Sequence, residues 1–177
     1  MTQEVISLQV LLKGPSMQRL FLLFILTLAT VGMAAEDWKG PSPGHQFTVG
    51  GLGGLAMVDG TAGFALLGNA GVKILNRGFV PDINDQVFLE ADLGPVFFSG
   101  FTDLLVDTHL RWDFHKDDDW TFYALGGLEG LFSSGTLGHN QVNPRFGIGT
   151  IWELWQGVAV RAEVSNDLLA LGITLYL

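Results

Sequence analysis

The sequence predicts an all-β fold, an antiparallel up-and-down transmembrane β-barrel of eight strands, and three observations lead to it. Charged and apolar residues alternate along most of the strand-like segments. Charged residues make up only 15% of the chain, which is too few to cover a soluble surface comfortably. After residue 34 no apolar run reaches the roughly 18 residues of a spanning helix, so a closed barrel is the remaining structure that can cross lipid.

The first residues of the chain have the pattern of an export signal. Arg19 supplies a positive charge, residues 20–31 form a short apolar block, and small residues precede a cleavage point at Ala34-Ala35 or Ala35-Glu36. Because the block is shorter than a membrane-spanning helix, it favours a cleaved signal peptide over an anchor. We therefore expect the following domains: 1–16 an over-extended start, 17–34 a signal peptide, 35–45 an irregular lead-in, and 46–177 the barrel.

The composition of the chain excludes several function classes. Residues 35–177 carry 17 acidic and 7 basic side chains, and such an acidic surface does not favour nucleic acid. The chain has no cysteine, which excludes disulfides, thiolate metal sites and attachment of lipid through an N-terminal cysteine.

Eight segments carry strand patterns separated by turn residues such as Asp59-Gly60, Ser99-Gly100 and Asn166-Asp167. Their lengths suit tilted transmembrane strands, which need about 9–11 residues. Two connections are longer, residues 77–85 and 134–144. The predicted strands are 46–58, 62–76, 86–99, 104–115, 120–133, 145–155, 157–165 and 168–177.

The alternation is ambiguous in the first of the eight segments and clear in the second, third and fourth. The first segment is rich in glycine between Gly50 and Gly54, and we expect a β-bulge there. In the second, Lys73 lies opposite a face that contains Phe64. The third and fourth segments place their charges on one face and apolar residues on the other, with the charges at Glu90, Asp92, Asp107, His109, Arg111 and Asp113.

The last four segments repeat this alternation. Glu129 shares a face with Tyr123 in the fifth segment, and Arg145 shares one with Glu153 in the sixth. In the seventh, Arg161 and Glu163 lie opposite three valines. The eighth alternates large apolar residues with small or polar ones, the large ones being Leu169, Leu171, Ile173, Leu175 and Leu177.

The alternation admits two opposite assignments of the faces. In a soluble periplasmic sandwich or a lipocalin-like barrel, the charged face would meet water. In a membrane barrel the apolar face contacts lipid and the polar face lines the lumen. Tryptophans near segment ends are typical of the aromatic girdles at membrane interfaces and favour the membrane barrel; they are Trp112, Trp120, Trp152 and Trp155.

With the charges inside, they form a mixed-sign network that fills a narrow lumen. Arginines can bridge carboxylates of neighbouring strands, which offsets part of the cost of burial. We interpret this network as structural and expect no catalytic, cofactor or metal site. The predicted lumen residues are Lys73, Glu90, Asp92, Asp107, His109, Arg111, Asp113, Glu129, Arg145, Glu153, Arg161 and Glu163.

Two other histidines offer weaker sites. His115 lies beside the acidic run 117–119, which is more typical of a solvated turn than of a cation site. His139 lies near Ser133 and Ser134, but the sequence lacks a histidine and a serine two residues apart on a lipid-facing strand, the arrangement expected of a lipid deacylase.

The end of the chain carries a resemblance to a known class. The run 170–177, Ala-Leu-Gly-Ile-Thr-Leu-Tyr-Leu, resembles the last strand of bacterial outer-membrane barrels, although that strand usually ends on Phe and this chain ends on Leu177. Residues 146–163 are similar to the penultimate hairpin of small barrels of the OmpA/OmpX type. The resemblance implies insertion in the outer membrane beside lipopolysaccharide, and recognition of the last strand by the barrel-assembly machinery.

These observations predict a non-enzymatic integral outer-membrane barrel with a structural or surface-contact role in the cell envelope. A small pore or ligand transporter is the alternative, and a lipid-modifying enzyme is the third hypothesis. With both termini in the periplasm, the odd-numbered connections are extracellular and the long connection 77–85 is periplasmic.

Overall fold

The computed structural model describes residues 44–80, 82–133 and 140–177, and these form a closed antiparallel barrel of eight strands. The predicted signal peptide, the over-extended start and residues 35–43 of the lead-in lie outside the described residues. Each strand pairs with its neighbour in sequence, and β1 pairs with β8 to close the barrel. The strands are β1 Phe47–Val58, β2 Thr61–Leu75, β3 Asp85–Phe98, β4 Phe101–His115, β5 Trp120–Ser133, β6 Gln141–Trp155, β7 Val158–Ser165 and β8 Leu168–Tyr176.

This architecture confirms the predicted fold class and the predicted strand order. Among the described residues, no helix has the length and apolar character needed to cross a bilayer.

Two details of the strands differ from the prediction. The bulge expected in the Gly-rich first segment is wrong, because β1 pairs with β2 in continuous register from Phe47 to Val58. Register shifts occur instead near the ends of β2 and β6, between Lys73 and Leu75 and between Glu153 and Trp155. The glycines of β1 therefore lie in the strand without interrupting its hydrogen-bonded ladder with β2.

The second difference is that β6 begins at Gln141, four residues before the predicted start. Proline lacks the ladder's N–H donor, so Pro144 fits a strand only where that strand has an unpaired edge. In the structure β6 pairs with β7 only from Gly147 onward, so Pro144 lies on an edge with no strand on that side. Asn166 completes this edge, because its side chain donates to the Pro144 carbonyl and accepts from the Phe146 N–H.

The barrel has two distinct ends. We call the end that holds Phe47 and Tyr176 the terminal end, and the end that holds the tight turns 59–60, 99–100 and 166–167 the turn end. Asp59 and Gly60 both adopt positive φ, as a two-residue type I′ hairpin requires.

The longest described connection, from residue 76 to 84, lies at the terminal end and is tied to β3 by one carboxylate. Asp85 accepts hydrogen bonds from the backbone N–H groups of Gly78, Phe79 and Val80 at 2.9 to 3.3 Å. It also accepts one from the indole N–H of Trp112 at 2.7 Å. The Asp85 carboxylate therefore fixes the backbone of the β2–β3 connection at residues 78–80.

The outward face of the barrel is apolar along all eight strands. Leu93, Leu171 and Phe146 are each more than half exposed although they lie in the middle of strands. The four tryptophans singled out in the sequence all lie near the terminal end, where Trp120 and Trp152 stack at 5.6 Å across β5 and β6. An apolar surface of this extent suits contact with lipid rather than water.

Candidate functional site: the barrel lumen

The lumen is filled by three groups of buried side chains. An apolar cluster lies toward the turn end, and it contains Leu52, Ala56, Ala65, Leu67, Val96, Phe98, Leu105, Leu131, Leu168 and Ala170. A smaller cluster lies toward the terminal end, with Tyr123, Leu125, Ile151, Ala159 and Tyr176. Between them lies the charged layer, which we define as Glu90, Asp92, Asp107, His109, Arg111, Asp113, Glu129, Arg145, Arg161 and Glu163, each 2% exposed or less.

At several inward positions the neighbouring strand lies so close that only glycine fits. A Cβ on Gly127 would overlap the backbone of Thr108 and His109 on β4, whereas one on the outward Gly126 would meet nothing within 4 Å. Strong curvature is required to close eight strands, and glycine at inward positions permits it. The space in the lumen is then taken by the long charged side chains.

Glu90 on β3 is the most connected member of the charged layer. Its carboxylate pairs with the guanidinium groups of Arg111 and Arg161, the latter at 2.5 Å. The imidazole of His109 lies 3.3 Å from the same carboxylate. Arg111 extends the network further, because it also donates two hydrogen bonds to Asp113 at 2.8 and 3.0 Å.

Arg145 on β6 connects acids from four other strands. It donates to Asp107 and, at 2.6 Å, to Glu163. The Asp92 carboxylate lies 3.3 Å away and that of Glu129 lies 4.0 Å away. One guanidinium group therefore serves four acids, and Glu129 receives the weakest of these contacts.

Arg161 and Tyr123 join the two halves of the network. Arg161 donates to Glu163 at 2.6 Å and to the Tyr123 hydroxyl at 2.8 Å. That hydroxyl donates in turn to Glu163 at 3.0 Å. The contacts close a ring through Glu90, Arg161, Glu163, Arg145, Asp107 and His109. Hydrogen-bonded, paired charges of this kind offset much of the cost of desolvation.

The structure brings together ten of the twelve predicted lumen residues, the members of the charged layer. Lys73 is 6% exposed and lies toward the terminal end of β2, beside the Phe88 ring. Glu153 is only half-buried and accepts a hydrogen bond from the Gly157 N–H, so it stabilises the β6–β7 turn. Glu153 lies on the same face of β6 as Arg145, as its sequence position predicted. It lies near the terminal end of β6, however, and is therefore outside the charged layer.

Sequence reasoning missed two components of the lumen. Tyr123 forms hydrogen bonds within the network. The sequence did indicate its inward orientation, because Tyr123 lies on the same face of β5 as Glu129. The apolar cluster at the turn end was also missed, because large apolar residues were all assigned to the outer face. Leu105 has the same parity as Asp107 and therefore had to point inward.

The weaker histidine sites have other surroundings. His115 is buried, and its Nδ1 lies 2.9 Å from the Thr121 hydroxyl. Asp117 accepts hydrogen bonds from the backbone N–H groups of Asp119 and Trp120, an arrangement that stabilises the turn. His139 and Ser134 lie outside the described residues.

Comparison with known proteins supports the fold and goes no further. No family model matches the chain, and no curated protein matches it. A de novo designed transmembrane β-barrel matches with a TM-score of 0.53 at 17% identity, covering 75% of this chain and 96% of the design.

Two structures of Ail, the attachment invasion locus protein of Yersinia pestis, also match. The crystal structure with the heparin analogue sucrose octasulfate has a TM-score of 0.48 at 10% identity, covering 74% of this chain and 96% of Ail. The nanodisc structure has a TM-score of 0.43 at 13% identity, covering 75% and 99%. The closed eight-stranded sheet and the match to the designed barrel show that this chain has the fold of a small transmembrane barrel.

Proposed function

We propose that this chain is a non-enzymatic integral protein of the bacterial outer membrane, with a structural or surface-contact role in the cell envelope. The observation that carries the proposal is the filled lumen inside an apolar exterior. Among the described residues, every member of the charged layer is 2% exposed or less, with apolar clusters on both sides of it. Eight strands enclose an interior just wide enough for side chains to fill, which supports a barrel without a continuous water path.

The location follows from the same arrangement. Export by a cleaved signal peptide would deliver the chain to the envelope, and the apolar exterior would contact lipid and the acyl chains of lipopolysaccharide. The outward residues of β8, from Leu169 to Leu175, and the following Leu177 would offer the assembly machinery its alternating apolar signal.

Fractionation and gel mobility test the barrel and its location. We expect the protein in the outer-membrane fraction, with faster migration before boiling than after, because a closed barrel resists detergent until it is heated. A soluble protein with unchanged mobility would contradict the proposal.

Conductance in planar bilayers separates the filled barrel from a small pore. The filled lumen predicts no stable open channel, whereas regular conductance steps would support the pore and reject the filled barrel.

Mass analysis of lipid A from cells with and without the protein tests the enzyme hypothesis. We expect the same acyl pattern in both, and an altered pattern would revive that hypothesis.

A further inference from the structure

Three potential metal ligands meet in the charged layer. Glu90, Asp92 and His109 each offer one ligand atom, and these atoms all lie within 4.8 Å of one another. Each residue is 1% exposed. The sheet places them together because Glu90 pairs directly with His109, and Asp92 pairs with the next inward residue of β4. Adjacent strands therefore present one nitrogen and two carboxylates on the same inward surface.

The imidazole of His109 is oriented as a metal-binding histidine usually is. Its Nδ1 lies 2.7 Å from the Asp107 carboxylate. A carboxylate on one ring nitrogen fixes the tautomer and directs the other nitrogen toward a metal. Here that other nitrogen, Nε2, lies 3.3 Å from Glu90 Oε1 without the alignment of a hydrogen bond.

Asp92 is the second observation that points to a ligand. Its side chain is fully buried, and neither carboxylate oxygen forms a hydrogen bond within residues 44–80, 82–133 and 140–177. The guanidinium of Arg145 lies 3.3 Å from one of these oxygens, but that group already donates to Asp107 and Glu163. Buried carboxylates are normally hydrogen-bonded or bound to a cation, because an uncompensated buried charge is costly.

The charge of the layer favours a cation as well. Its ten members include six carboxylates and three guanidinium groups. Even with a protonated histidine, the six carboxylates outnumber the positive groups, and Lys73 at the margin of the layer removes only part of the excess. A divalent cation beside Glu90 and Asp92 would balance what remains.

We propose that Glu90, Asp92 and His109 bind one divalent transition-metal ion, which cross-links β3 and β4 inside the lumen. An imidazole nitrogen combined with carboxylates selects ions such as Zn²⁺ over Mg²⁺ or Ca²⁺, which prefer oxygen ligands alone. Because the ligands are buried, the ion enters as the barrel forms. It acts as a structural clamp at the centre of the network.

Refolding with metal tests this site. The full chain is unfolded in urea, refolded into detergent micelles with Zn²⁺ or Co²⁺, and separated from free metal before its metal content is measured. We expect about one ion per folded wild-type chain, since a preformed site arises only in the folded state. With Co²⁺, visible absorption bands of a nitrogen- and oxygen-ligated ion should appear.

Matched variants locate the site. Asp92→Asn and His109→Gln should each lower the retained metal at least about tenfold, whereas Glu129→Gln should retain it. Glu129→Gln is the control because it removes a buried carboxylate from the same layer without touching the three ligands. Heat-modifiable mobility verifies that each variant has formed the barrel.

Two results would overturn the proposal. The first is folded wild-type protein that retains no stoichiometric metal, which would mean that protons neutralise the layer. The second is an equal loss of metal from Glu129→Gln, which would mean diffuse attraction to the acidic lumen. If Asp92→Asn and His109→Gln fail to fold, the wild-type stoichiometry and the Co²⁺ spectrum still decide, because bands without a nitrogen ligand would reject His109.

Discussion

Removal of the Arg161 guanidinium is the most informative perturbation of the lumen. Arg161 is 0% exposed and donates to Glu90 at 2.5 Å, to Glu163 at 2.6 Å and to the Tyr123 hydroxyl at 2.8 Å. In Arg161→Met an unbranched apolar side chain replaces the stem of the arginine, but two buried carboxylates lose a charged partner. Breaking a buried ion pair from one side typically costs about 3–5 kcal/mol of unfolding free energy.

The assay is urea unfolding of the barrel in lipid vesicles, followed by tryptophan fluorescence. We expect Arg161→Met to lower the free energy of unfolding by about 3–5 kcal/mol, a factor of 10² or more in the equilibrium constant. Lys116→Met is the control, because the Lys116–Asp117 pair is 3.8 Å long and its side chains are 31% and 42% exposed. Exposed pairs of this kind are worth about 0–1 kcal/mol.

A double-mutant cycle with Glu163→Gln tests whether the network acts as a unit. Directly bonded partners should show a coupling energy of about 0.5–3 kcal/mol. A loss below about 1 kcal/mol for Arg161→Met, equal to that of the control, would refute the inference that the buried ion pairs stabilise the barrel.

Three further changes test the curvature, the lipid-facing surface and the polar contacts of the lumen. Gly127→Val should abolish the heat-modifiable form, because its Cβ would overlap the β4 backbone, whereas Gly126→Val should keep it; equal behaviour of the pair would contradict this explanation. Leu171→Arg, at an outward position 65% exposed, should cost about 2–4 kcal/mol in vesicles if it lies near the bilayer midplane, and Val142→Arg at the strand end should cost about 0–1 kcal/mol. Similar costs at both positions would argue against a membrane-spanning orientation. Tyr123→Phe should cost about 1–3 kcal/mol in the same assay, because Arg161 loses an acceptor and Glu163 a donor inside the lumen; unchanged stability would show that the hydroxyl is not needed.

The packing of the lumen supports the proposal of a filled barrel over a small pore. A conducting lumen needs a continuous path of water, but here apolar side chains lie on both sides of the charged layer within the described residues. Most of the charges in the layer pair with one another, and Arg145 alone lies within 4.0 Å of four acids. Such a network is expected to stabilise one arrangement of the strands, which the Arg161→Met experiment tests.

The sequence by itself determined which side chains share a face, because the strand period of two depends only on the local backbone. It therefore predicted the eight strands and the inward orientation of residues such as Asp107 and Arg161. It did not predict that β6 extends through Pro144, since that depends on the missing partner along one edge.

Only the tertiary structure decided which of the inward residues meet. Glu90 and Arg161 are 71 positions apart in the chain and touch because the barrel closes. The same closure excludes Glu153 from the charged layer and brings the Tyr123 hydroxyl into contact with it, since depth along the barrel axis depends on the register of all eight strands. The odd or even position of a residue along its strand determines whether its side chain points into the lumen. The register of the strands and the closure of the barrel determine which other side chains it contacts.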